Sequence, residues 1–138
     1  MAALTAGVPD KVEILALVES ALAWDLNGGI LPTGNDALRM AEQFADYGRI
    51  VADDLRTLVL SIPADSDVAI RAQATLSEAS RRLPLPPPPD TPRAAGRRAQ
   101  NLARLVQGLC RAAGRITEEQ ARTVRRTPQQ ATQKGTLE

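Results

Sequence analysis

DALRMAEQFADYGRIVADDLRTLVLSI, residues 36–62, is the stretch of sequence that decides the fold class. Its apolar residues recur at spacings of three and four, which is the period of one face of an α-helix. They are Leu38, Ala41, Ala45, Gly48, Ala52, Leu55, Val59 and Ile62. Charged residues such as Arg39, Glu42 and Asp53 lie on the opposite face. The pattern predicts a helix over 36–62 that enters the core of a helical bundle, and Pro63 ends it.

The same period continues on both sides of this helix and predicts three more, over about 10–26, 66–83 and 92–116. Asp10 and Glu13 have the spacing of a capping box, and Asn35 is placed to cap the second helix. Thr91 followed by Pro92 has the pattern of a helix start. Residues 84–89 read PLPPPP. A proline run is extended, so we interpret it as a stiff connection; a docking segment for a proline-binding domain is the alternative.

Together these patterns predict an all-α protein: a compact bundle of four main helices with a proline-rich linker before the last and a disordered C-terminal tail. The domain covers residues 1–126, and residues 127–138 are Gln- and Thr-rich without periodicity. We expect the first two helices to form a hairpin, the second and third to form another, and the fourth to close the bundle. Thr117 has the spacing of a further cap, which predicts a short fifth helical turn.

Composition excludes several classes of site. The 138 residues include no histidine and a single cysteine, Cys110, which rules out a structural zinc site, an intrachain disulfide and any histidine-based triad. We therefore expect no metal and no cofactor, and we interpret Cys110 as a buried thiol. The sequence shows no basic signal region and no apolar run of membrane-spanning length. It predicts a cytoplasmic protein without a membrane partner.

The net charge of +1 hides a strong polarity along the chain. Residues 1–92 hold seven basic and thirteen acidic residues, a net charge of −6, whereas residues 93–138 hold ten basic and three acidic residues, a net charge of +7. Five arginines of the fourth helix step by four, seven, seven and four, which places them on one face. They are Arg93, Arg97, Arg104, Arg111 and Arg115, and we call them the arginine ridge. The ridge suits phosphates, but the interpretation we favour is that it meets the acidic first part of the chain.

A small pocket is the other candidate site. Trp24, Phe44 and Tyr47 are the only aromatic residues, and with Asp46 they could line a pocket near the first interhelical turn. Core packing is the interpretation that the scarcity of aromatic residues favours. Asp46 and its acidic neighbours alternate with arginines, which favours surface ion pairs over paired catalytic carboxylates.

One stretch of sequence resembles a known family. A helix, a PADS turn and a helix ending in EASRRL occupy residues 55–83, and AAGRRAQNLARLVQGLC follows at residues 94–110. This resembles a family of small actinobacterial proteins of unknown function, mostly from Streptomyces, labelled natural-product biosynthesis proteins. The similarity runs from about Val12 to Ile116. It implies an all-helical cytoplasmic protein connected with secondary metabolism, and it supplies no catalytic residues.

The sequence therefore favours an accessory or regulatory protein of natural-product biosynthesis that acts by protein–protein or ligand binding without catalysis. Its partner would be another protein or a second copy in a homo-oligomer, and a small-molecule ligand stays open. Two alternatives remain. One is a nucleic-acid-binding regulator that uses the arginine-rich residues 93–126, and the other is a cofactor-independent isomerase or cyclase with a pocket between helices.

Overall fold

Four α-helices build the part of the chain that the structure describes. The computed structural model describes the backbone of residues 10–137 and the side chains of residues 10–124. The helices are α1 (Lys11–Leu22), α2 (Gly34–Leu58), α3 (Asp67–Arg82) and α4 (Pro92–Leu137), and a short 3₁₀ helix (Val59–Ser61) extends α2. Residues 10–137 contain no β-strand. The predicted all-α class and the count of four main helices are confirmed.

Short polar side chains begin the helices. Asp10 and Glu13 form the predicted capping box of α1. Thr91 accepts a hydrogen bond from the backbone N–H of Ala94 at 3.3 Å, as expected for the cap of α4. The predicted cap Asn35 is wrong, because Thr33 Oγ1 accepts from Asp36 N at 3.0 Å and α2 already begins at Gly34.

Two helix ends differ from their predicted positions. α1 ends at Leu22 rather than near residue 26, and Asp25 Oδ1 then accepts a hydrogen bond from the backbone N–H of Asn27, which holds the chain in a turn. At the other end of the protein no fifth helix begins at Thr117. Its hydroxyl donates to the carbonyl of Ala113 at 3.1 Å, so Thr117 lies inside a continuous helix instead of capping a new one.

α4 includes most of the segment for which the sequence predicts disorder, residues 127–138. Ile116 is the last buried residue of α4 among the side chains that are described. The side chains from residue 125 onward lie outside the described residues. The predicted disorder, and the domain boundary at residue 126, stay predictions.

α4 is the central helix of the bundle. It packs against α2 most extensively and also against α3 and α1, whereas α1 with α2 and α2 with α3 touch much less. Consecutive helices touch as the two predicted hairpins require and α4 closes the bundle, but α4 makes the most extensive contacts. The physical reason is the wide buried arc of α4, where alanines such as Ala95, Ala99 and Ala103 allow neighbours to approach from several sides.

The core consists almost wholly of aliphatic side chains. Phe44, Ile14, Leu55, Leu109 and Ile116 are its largest fully buried members. The buried side of α3 consists mostly of small side chains: Ala69, Ala72, Leu76 and Ala79 are buried, and so is Leu83 directly after the helix. Among the described side chains Gln100 is the one buried polar residue, and its amide bonds to the end of α1.

Candidate functional site

The arginine ridge lies on the solvent side of α4. All five of its side chains belong to exposed residues, and between Arg93 and Arg115 the helix rises about 33 Å at 1.5 Å per residue. The opposite side of α4 carries Leu102, Leu105 and Leu109 into the core. The ridge is therefore a straight row of guanidinium groups, and the bundle covers none of them.

No carboxylate within the described part of the chain pairs with the ridge. The six ion pairs there all join residues three or four apart, such as Asp46 with Arg49 at 2.9 Å and Asp53 with Arg56 at 2.6 Å. Arg104 donates one hydrogen bond to Asn101 Oδ1 at 3.3 Å. The acidic first part of the chain thus neutralises its own arginines locally, and the interpretation that it also meets the ridge is wrong for these residues.

The residues suggested for an aromatic pocket do not line one cavity in the structure. Phe44 is fully buried in the core. Trp24 and Tyr47 are half-buried and pack against the edge of the core, Trp24 just beyond the end of α1. Asp46 is exposed and paired with Arg49. Of the four residues, only Asp46 lines the cavity described below.

Tyr47 lies near the single cysteine. Burial raises the pKa of the Tyr47 hydroxyl, and the neighbouring Cys110 and Asp54 raise it further. Burial likewise raises the pKa of the Cys110 thiol, while Lys11 acts in the opposite direction. The predicted buried thiol is in fact half-buried. Neither group is held in its ionised form, which is what a nucleophile would need.

A groove of about 420 Å³ lies between α2, the end of α3, the proline-rich linker and α4. We call it the linker groove. Its apolar lining is aliphatic, and two acidic and two basic residues also line it. The lining residues are Leu38, Ala41, Glu42, Ala45, Asp46, Arg49, Leu83, Leu85, Pro87, Pro88, Arg98 and Leu102.

Two arginines hold the linker over this groove. Arg98 Nη2 donates to the carbonyl oxygen of Leu85 at 2.7 Å, and Arg49 Nη2 reaches the carbonyl oxygen of Leu83 at 3.4 Å. Arg49 is also paired with Asp46. Arg98 forms no ion pair within the described residues, and its partial burial lowers the pKa of its guanidinium.

Arg98 is a residue of the groove that the sequence patterns did not predict as part of a site. It directly follows Arg97, which belongs to the ridge. One residue is a rotation of about 100° on a helix, which turns Arg98 toward the side that carries Leu102. The spacing of four between Arg98 and Leu102 was the available signal.

The described residues hold no group of three or more histidine, cysteine, aspartate or glutamate side chains that could bind a metal ion. No helix in the same part of the chain combines the length and the apolar character that crossing a bilayer requires.

Comparison with known proteins gives one match. A family model described as a family of unknown function (DUF6415) matches residues 12–118. The matched segment begins in the first turn of α1 and ends two residues beyond Ile116, so it covers the bundle, the linker groove and the arginine ridge. No curated protein and no solved structure matches the chain.

Proposed function

We propose, on the premise that this chain belongs to the DUF6415 family of unknown function, that it is a non-catalytic accessory or regulatory protein whose arginine ridge binds an acidic protein surface. A second copy of the chain is the partner we propose. A role in natural-product biosynthesis in actinobacteria such as Streptomyces, in the cytoplasm, belongs to the same proposal. That part is supported by the resemblance of residues 94–110 to small actinobacterial proteins labelled natural-product biosynthesis proteins.

The observation that carries the proposal is the unpaired state of the ridge. Five exposed guanidinium groups lie along about 33 Å of one helix face with no carboxylate within 4.0 Å among the described residues. Arginine is the cation best suited to an interface, because its planar fork binds carboxylates in pairs of hydrogen bonds and is weakly hydrated. A row of such groups favours an extended anionic partner.

A second copy of the chain offers suitable anions. Residues 10–92 hold a large excess of carboxylates, and exposed ones without an ion pair include Glu19, Asp54 and Asp65. Complementary charge mainly accelerates association and selects the partner, and salt weakens it. The proposal therefore predicts association that is strong at low salt and weak at high salt.

Sedimentation velocity tests this proposal. Measured at about 0.01 M and about 1 M salt, where the screening length is about 30 Å and about 3 Å, the chain is expected to associate only in the first condition. The double variant Arg97→Ala/Arg104→Ala is expected to stay monomeric in both. Its control, Arg39→Ala/Arg71→Ala, removes the same charge from exposed positions outside the ridge and is expected to associate. A monomer at low salt, or equal association of the two double variants, contradicts the proposal.

Nucleic-acid binding is the second candidate, and the same unpaired ridge favours it. Five phosphate contacts predict a slope of about −4.5 in log K against log salt concentration. Base stacking gains no support, because Phe44 is buried and Trp24 and Tyr47 pack against the core. A mobility shift of duplex DNA at low salt that Arg97→Ala/Arg104→Ala abolishes would support this candidate over protein association.

The enzyme alternative finds less support in the groove. Acid–base catalysis at neutral pH needs a desolvated carboxyl group whose pKa is displaced. The two carboxylates that line the linker groove, Glu42 and Asp46, belong to exposed residues, and Asp46 is paired with Arg49. This arrangement supports binding rather than proton transfer.

A further inference from the structure

We propose that the linker groove is a binding site for a small aliphatic carboxylic acid, with the carboxylate on Arg98 and the aliphatic chain on the floor of the groove. This inference is independent of the ridge, because the groove lies on another side of α4. It assigns a ligand class to a cavity whose volume, about 420 Å³, falls within the range of about 300–1,000 Å³ that is typical of small-molecule sites.

The charges around the groove indicate that the ligand carries an anionic group. Arg49 is already neutralised by Asp46 at 2.9 Å, which leaves Arg98 as the lining cation that has no carboxylate partner among residues 10–124. One hydrogen bond, from Nη2 to Leu85, uses only part of the guanidinium fork. A half-buried cation beside an apolar floor gains most from an anion that accepts its remaining donors.

Glu42 limits that anion to a single negative charge. It lines the same groove and has no ion pair among the described residues. An unpaired carboxylate nearby repels a second negative charge, so a monoanion such as a carboxylate fits better than a dianionic phosphate. Arg98 attracts an anionic head group and Glu42 repels a second negative charge, so the two residues together favour a monoanion.

The composition of the lining indicates that the rest of the ligand is an aliphatic chain. Its apolar members are leucine, alanine and proline, and the groove contains no aromatic side chain. Leu102 and Ala45 are buried at the floor, while Leu85 remains half exposed at the edge. Burial of aliphatic surface is non-directional and needs no stacking partner, which favours a flexible aliphatic chain over a planar aromatic ring.

The linker forms one wall of the site. Pro87 and Pro88 line the groove directly, and the hydrogen bonds of Arg98 and Arg49 to the carbonyl oxygens of Leu85 and Leu83 hold the chain that leads into the linker. A proline segment loses little conformational freedom when it is ordered, so the wall is largely formed before a ligand arrives. This gives the PLPPPP run a role as part of a binding site.

Titration of the full-length chain with octanoate, followed by amide NMR shifts, tests the proposal. Saturable shifts are expected at the lining residues, with octan-1-ol and acetate each binding at least tenfold more weakly because one lacks the charge and the other the chain. Arg98→Ala is expected to weaken octanoate binding about tenfold or more. The control Arg71→Ala, which replaces an exposed arginine of α3 outside both the groove and the arginine ridge, is expected to change it by less than about twofold.

The proposal is overturned if octanoate binding does not saturate, if octanoate and octan-1-ol bind with equal affinity, or if the shifts are centred on the ridge. Because Arg98→Ala also removes the bond to Leu85, circular dichroism and thermal unfolding check that this variant is folded. Arg98→Lys keeps the charge but not the fork, and it is expected to bind octanoate more tightly than Arg98→Ala. If the two variants bind equally, the carboxylate does not lie on Arg98.

Discussion

Replacement of Gln100 by methionine should show how much the hydrogen bonds from α4 to the end of α1 stabilise the protein. Gln100 is 8% exposed, and its Nε2 donates to the carbonyl oxygens of Ala21 and Trp24, both at 2.9 Å. Ala21 O also accepts from the backbone N–H of Trp24 at 3.2 Å, whereas Gln100 is the donor found for Trp24 O among the described residues. Methionine keeps the length of the side chain but removes both donors.

The expected loss can be worked from these two bonds. A buried hydrogen bond contributes about 0.5–1.5 kcal/mol net, and an acceptor left unpaired costs about 1–3 kcal/mol. Water can still reach part of the site, because Trp24 is only half-buried. We expect Gln100→Met to lower the free energy of unfolding by about 2–3 kcal/mol, or the urea midpoint by about 1–1.5 M for a slope near 2 kcal/mol/M.

Urea denaturation followed by circular dichroism measures this loss. The matched control is Gln107→Met, the same replacement at a half-exposed position of α4 where no hydrogen bond of the side chain is found in the described part of the chain. We expect that control to change the stability by less than about 0.5 kcal/mol. If the two variants unfold at the same urea concentration, the amide does not stabilise the end of α1, and the reasoning is refuted.

The remaining predictions concern two glycines and the thiol. A Cβ at Gly34 would overlap the backbone carbonyl of Asp90, so Gly34→Ala should displace the end of the linker and cost about 1–3 kcal/mol in urea unfolding. Gly114 has nothing within 4 Å of such a Cβ, and Gly114→Ala should stabilise α4 by about 0.5–1 kcal/mol; the same sign for both would contradict this interpretation. Burial raises the pKa of the Cys110 thiol, so its alkylation by iodoacetamide near pH 8 should be slower than that of free cysteine and should rise with pH beyond the range where free cysteine levels off; a rate equal to free cysteine would contradict it.

Local patterns in the sequence account for most of the helices. The periodicity over residues 36–62 recovered the buried stripe of α2, and the capping box at Asp10 and Glu13 formed as expected. These features depend on residues within one turn of each other, so no knowledge of the fold is needed to find them. The error at Asn35 arose because two short polar residues, Thr33 and Asn35, compete for one cap. The error at Thr117 arose because the spacing of a capping box also occurs inside a continuous helix, where the hydroxyl bonds to a carbonyl of the preceding turn.

The arrangement of the helices was harder to predict from the sequence than the helices themselves. Nothing in the period of α4 indicates that it contacts three helices rather than one, because periodicity reports how wide an apolar face is and not what covers it. The aromatic residues show the same limit. Phe44 and Tyr47 lie three residues apart, yet one is enclosed in the core and the other lies at its edge beside Cys110.

The sequence by itself determined that the protein is a helical bundle, that its charge is polarised along the chain, and that five arginines share one face of α4. Each of these follows from residue type and spacing along a helix. Only the tertiary structure decided that no carboxylate of the described side chains pairs with the ridge, while Arg98, directly after Arg97, lines a groove. Pairing and enclosure depend on distances between segments far apart in the sequence, and those distances are set by how the helices pack.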